Sequence, residues 1–131
     1  MMEEQKILIV DDDEGVRDML ADFFRVLGYQ PVIACNGEEA LNLLEQHDVL
    51  LVISDIKMPV MDGIEMLKRI RKKRGDLDVI LITGYGPDYS WDSVKKAGAS
   101  DYVSKPFSID VIEKKVKSLI DKKTGRRVDA R

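Results

Sequence analysis

Five short aliphatic runs constrain this chain more than any other feature: ILIV at 7–10, PVIA at 31–34, VLLVI at 49–53, VILI at 79–82 and the shorter YV at 102–103. The runs at 49–53 and 79–82 show no polar alternation, so strands made from them need dry cover on both faces. A parallel sheet flanked by helices provides that cover. Helical patterns fill the intervals. Val16, Met19, Leu20, Phe23, Phe24 and Leu27 recur at helical spacing and Gly28 follows, which predicts a helix over 14–27. A second opens at NGEE, where Asn36 is placed to cap, Glu39 to reach back, and Ala40, Leu43 and Leu44 to form a buried stripe.

A third helix follows Asp62-Gly63 and ends in KRIRKKR before Gly75, with positive charge at the negative end of the helix dipole. The plain reading of that run is a solvated face; a docking surface for an acidic partner is the alternative. The fourth helix, within PDYSWDSVKKAG, is polar and weakly patterned, with Trp91, Val94 and Ala97 inward, and is expected to be the least firmly held. The last begins at Ser108 and carries Ile109, Ile112, Val116 and Leu119, after which KKTGRRVDAR reads as a frayed tail.

Strands alternating with helices predict a doubly wound α/β fold, because right-handed crossovers return each strand parallel to its neighbour. The expected sheet has five strands in the order 2-1-3-4-5 with five helices. One domain over residues 1–121 accounts for all of it, and 122–131 is left as a flexible tail or the start of a linker. With 21 basic against 24 acidic residues, nothing in the charge balance calls for nucleic acid. No apolar run approaches the roughly 18 to 20 residues of a membrane span. The start MMEEQK has acids where a secretory signal has basic residues, so the expected location is the cytoplasm. Cys35 is the single cysteine and reads as a small packing residue. His47 reads as an exposed polar residue before a strand.

In such sheets the carboxyl ends of the strands share one edge, where ligands bind. Asp11 and Asp12 follow the first strand, Asp55 ends the third, Thr83 the fourth, and Lys105 comes after the fifth. Two carboxylates ~4 Å apart repel by about 4 kcal/mol at an effective dielectric near 20, so three together need a proton or a cation between them. An all-oxygen, carboxylate-rich site suits Mg²⁺ or Mn²⁺ rather than zinc. Lys105 and Thr83 at the same edge suit an anion lying against that cation, and phosphoryl oxygens fit the description. Asp55, alone at a strand end before the open loop IKMPVMDG, is the candidate nucleophile, since an aspartate can attack phosphorus and become an acyl phosphate.

With VDD after the first strand, SDIKMPVMDG around Asp55, ITG, and KAGASDYVSKPF in that order and spacing, residues 6 to about 121 resemble the receiver domain of a two-component response regulator. The resemblance implies a flavodoxin-like fold. It also implies that Asp55 accepts phosphoryl from a histidine kinase, a phosphotransfer protein or a small donor. Asp12, Asp55 and the backbone carbonyl of Lys57 would ligate Mg²⁺, with Asp11 acting mainly through a metal-bound water. Lys105 would bind a phosphoryl oxygen next to a cis bond to Pro106. Thr83 would move toward the phosphate and Tyr102 would turn into the space it leaves. The face of helix four, strand five and helix five would then switch toward a downstream protein or a fused output domain.

On this reading the chain is a regulator whose only chemistry is self-phosphorylation and autodephosphorylation. It has no nucleic-acid or membrane contact of its own, and is a monomer or a phosphorylation-dependent dimer. It is either a stand-alone regulator or a piece of a longer one; no output domain is expected within these residues. Asp13 reads as an N-terminal helix residue. Lys57 and Tyr85 are expected to overhang the site, with Tyr85 hindering the attacking water, while Gly84 leaves freedom beside Thr83. A rival reading is a phosphatase of the haloacid dehalogenase type, with Asp11 as nucleophile and Asp13 as general acid. It leaves Asp55 and its loop without a task. A module that no longer takes phosphate is a third reading, against which the complete set of site residues argues.

Overall fold

The computed structural model describes residues 5–84 and 90–129, with side chains as far as residue 122. The aliphatic runs become strands β1 (Lys6–Val10), β2 (Gln30–Ala34), β3 (Val49–Asp55), β4 (Asp78–Thr83) and β5 (Asp101–Ser104). They alternate with helices α1 (Glu14–Val26), α2 (Gly37–Gln46), α3 (Gly63–Lys73), α4 (Trp91–Lys96) and α5 (Ile109–Asp129). The sheet order is β2-β1-β3-β4-β5 and every ladder is parallel, as expected for the doubly wound class.

The lack of polar alternation has a direct cause in the packing. Ile7, Ile9, Leu51, Ile53, Ile80 and Ile82 pack with Leu20, Phe24, Ile112 and Val116 of α1 and α5. Their neighbours Leu8, Val10, Val52, Val79 and Leu81 turn the other way, against Ala40, Met66, Leu67 and Val94 of α2, α3 and α4. Both faces are dry, so both sets of positions must be apolar.

Short polar side chains start the helices. Asp13 caps α1, Asn36 accepts from Glu39 N at 2.8 Å at the head of α2, and Asp62 accepts from Glu65 N at 2.8 Å at the head of α3. Glu39 does reach back, to the Cys35 N–H at 2.9 Å, one residue before the cap. Ser90 and Ser93 cap α4 reciprocally. Two sequence expectations change here. The helix α5 continues to Asp129, through the stretch from Lys122 read as a frayed tail, because its Lys and Arg residues are good helix formers. The run KRIRKKR is also not uniformly solvated. The Arg71 guanidinium donates to Gly98 O at 2.8 Å, Arg74 O at 3.1 Å and Leu77 O at 2.6 Å, joining the end of α3 to the turn after α4. Around it Arg69 pairs with Glu65, Lys73 with Glu45 and Arg74 with Asp76.

Candidate functional site

Strand register assembles the site. The ladders pair Val10 with Ser54, Asp55 with Ile82 and Thr83 with Ser104, so the residues at or just beyond these ends lie side by side along one edge. Asp11 N donates to Ala34 O at 3.1 Å, and Lys105 N donates to Thr83 O at 2.7 Å. The Lys105–Pro106 peptide is cis. Behind Asp55 the loop folds back so closely that a Cβ on Gly63 would collide with the Asp55 carbonyl oxygen and lie 3.0 Å from Ile56 Cα. Only glycine allows α3 to start there.

One carboxylate oxygen from each of Asp11, Asp12 and Asp55 lies within 4.8 Å of the others. Asp11 and Asp55 are buried, while Asp12 faces solvent. Asp55 is held at both oxygens: Oδ1 accepts from Ile56 N at 2.9 Å and Oδ2 from Lys105 Nζ at 3.2 Å. Asp11 is held at one only. Its Oδ1 accepts from Asp13 N at 2.9 Å, whereas Oδ2 is buried with no hydrogen-bond partner among the described residues. Burial, reinforced by the charges of Asp55 and Asp12, pushes the Asp11 carboxyl up from 3.8 to about 6, although the Asp13 N–H and Lys105 pull the other way. A buried acceptor without a donor, among three carboxylates, is what a bound cation would satisfy. The residues therefore fit a hard divalent ion.

Thr83 is buried at the end of β4 and Tyr102 is half-buried on β5. Lys57 is exposed two residues past Asp55. Tyr85 lies outside the described residues. Gly84 is exposed, and an added Cβ would meet nothing within 4 Å, so the backbone there is not crowded. Asp13, the odd acid of the triplet, accepts from Gly15 N at 2.8 Å and Val16 N at 3.3 Å as the cap of α1. The hydrolase reading needs it as a free general acid, whereas its Oδ1 is taken up by two backbone N–H groups of α1. Cys35 is partly buried as a free thiol near Glu39. His47 is half-buried rather than exposed, with Nδ1 3.2 Å from Lys6 Nζ. Three arrangements escaped the sequence reading: the unpaired Asp11 oxygen, the Arg17 Nη1 contact to Asp11 O at 2.8 Å, and a parallel stack of Trp91 on Tyr102.

Residues 7–117 match the response regulator receiver domain, and the chain belongs to that family, the phosphorylation-controlled modules of two-component signalling. It is 41% identical over 124 residues to sporulation initiation phosphotransferase F of Bacillus subtilis, covering 95% of this chain and 100% of that protein. It is 42% identical over 105 residues to the regulatory protein AtoC of Escherichia coli, covering 80% of this chain but 23% of the relative. It likewise spans 49% of the probable transcriptional regulator ycf27 of Cyanidium caldarium. Among solved structures, the response regulator TrrA of Thermotoga maritima in complex with Mg²⁺–BeF superposes with a TM-score of 0.80 at 41% identity, covering 88% of this chain and 98% of that one.

Proposed function

We propose that this chain is a phosphoacceptor whose Asp55 takes a phosphoryl group, in a Mg²⁺-dependent (or Mn²⁺-dependent) step, from a histidine kinase or phosphotransfer protein. A carboxylate oxygen of Asp55 attacks phosphorus, the bond from phosphorus to the donor's imidazole nitrogen breaks with its electron pair going to that nitrogen, and an acyl phosphate forms. Asp11, Asp12, Asp55 and the carbonyl of Lys57 would hold the ion, which supplies positive charge against the carboxylate and phosphoryl oxygens. Lys105, already on Asp55 Oδ2, is placed to follow a phosphoryl oxygen. Thr83 then turns its hydroxyl toward the phosphate, Tyr102 moves into the vacated corner, and the face of α4, β5 and α5 changes its affinity for a downstream protein or output domain.

The observation that carries this reading is the three-carboxylate cluster with Lys105 on one member and an unpaired buried oxygen on another. The phosphotransferase name of the Bacillus subtilis relative and the Mg²⁺–BeF ligand of the Thermotoga maritima structure support it. The chain acts as a regulator, with self-phosphorylation and autodephosphorylation as its chemistry. Among the described residues no helix is long and apolar enough to cross a membrane, and the cytoplasm is its proposed location. Incubation with a small phosphodonor and Mg²⁺, followed by reduction with tritiated borohydride, which releases the phosphate and leaves tritiated homoserine at the acylated position, tests the proposal. Label is expected on Asp55, with none taken up by Asp55→Asn or in EDTA. Label on Asp11, or equal uptake by Asp55→Asn, would overturn it.

A further inference from the structure

The pleat of the sheet brings Thr83 and Tyr102 to one face. Leu81 pairs with Tyr102 and Thr83 with Ser104, and partners in a parallel ladder share a face. Val79, Leu81 and the half-buried Tyr102 pack into the core beneath α2, α3 and α4, so Thr83, two residues past Leu81, belongs to that face as well. Ile80, Ile82 and Val103 take the other. On its α4 side the Tyr102 ring lies flat against the Trp91 indole, with centroids 5.1 Å and planes 11° apart. Trp91 is the first residue of a six-residue helix in which Val94 is the buried residue.

We infer that Trp91 is a positioning residue for Tyr102: the stacked indole holds the ring away from the Thr83 corner, and the first turn of α4 is freed when the ring leaves the stack. This rests on the reading of Asp55 as phosphoacceptor. It rests equally on the reading of Thr83 and Tyr102 as the pair that moves with the phosphate; in the structure the stack stands alongside the Lys105–Asp55 ion pair at 3.2 Å. Aromatic contacts of this kind favour the paired state by about three- to tenfold in population. One ring cannot occupy both places. Chemistry at Asp55 therefore works against the stack, and by reciprocity the stack weakens the site's hold on a phosphoryl mimic by the same factor.

The chain has a single tryptophan, so its emission reports the stack directly. The 131-residue chain is titrated with beryllofluoride in Mg²⁺ while uptake is followed by fluorine NMR and Trp91 by emission. The expected result is an emission change that tracks uptake. Trp91→Ala should bind beryllofluoride about three- to tenfold more tightly, and Trp91→Phe, which keeps a ring to stack, should stay near the parent. Damage to the fold would loosen binding, so tightening separates the two effects. Uptake without an emission change, Trp91→Ala at or below the parent's affinity, or Trp91→Phe matching Trp91→Ala would each overturn the role of Trp91 and leave Asp55 untouched. Absence of uptake by the parent would overturn the phosphoacceptor reading and the role of Trp91 with it.

Discussion

The helices α1 and α4 make opposite bargains with the sheet. α1 has 13 residues and buries Leu20, Ala21 and Phe24, with the Phe24 ring edge-on to Phe23 at 5.3 Å and to Tyr29 at 6.3 Å. It follows directly on Asp11 and Asp12, just past the end of β1, and its cap Asp13 also fixes Asp11 through a backbone N–H. α4 has six residues, buries Val94, and offers Trp91 half-exposed to the ring of Tyr102. A site that gathers charge needs carboxylates that do not relax apart. A surface that reports on that charge needs an element held by little. The two requirements are met at opposite sides of one strand edge.

The widest test of this contrast is truncation. Phe24→Ala is expected to cost about 3 to 5 kcal/mol and Val94→Ala about 2 kcal/mol in denaturant unfolding. Equal losses would mean that α4 is as deeply anchored as α1. A pH series probes the charged region. Because the folded carboxyl of Asp11 titrates at about 6, above its ordinary 3.8, its protonated form favours the folded state. Its contribution is best below pH ~4, declines as pH rises through about 6, and leaves a penalty of about 3 kcal/mol above that in metal-free protein. Asp11→Asn in EDTA should therefore be more stable than the parent at pH ~8 and no more stable at pH ~3, and without chelator it should bind Mg²⁺ more poorly. A stability gain that does not vary with pH would point to some other cause. The smallest effect separates the caps: Asp13→Ala and Ser90→Ala each remove about 1 kcal/mol. The first should lower the global midpoint, and the second should mainly speed amide exchange within α4. Matching global shifts would dissolve the distinction.

What could be read in the letters follows the same division. Strands buried on both faces leave unbroken aliphatic runs, and α1 leaves a clean helical period. Their order alone places Asp11, Asp12, Asp55, Thr83 and Lys105 on one edge. Features set by geometry across elements leave no such trace. The unpaired oxygen of Asp11 depends on which way a buried carboxylate turns. The Trp91–Tyr102 stack joins residues from a helix too short to show a period and a strand of four. Arg71 sits in a run of like charges with nothing local to mark it from Arg69 or Lys72, although it reaches three backbone oxygens and they pair or face water.

That arginine gives α4 a fulcrum. The turn after the helix is fastened through Gly98 O, and Gly98, at φ 108 with the Arg71 side chain packed where a Cβ would stand, leaves no slack on that side. If phosphoryl transfer moves α4, a clamp at its tail makes the displacement smallest beside Arg71 and greatest at the indole. The lever is short, about 9 Å for six residues at 1.5 Å each. Such a movement would be delivered at the Trp91–Tyr102 stack.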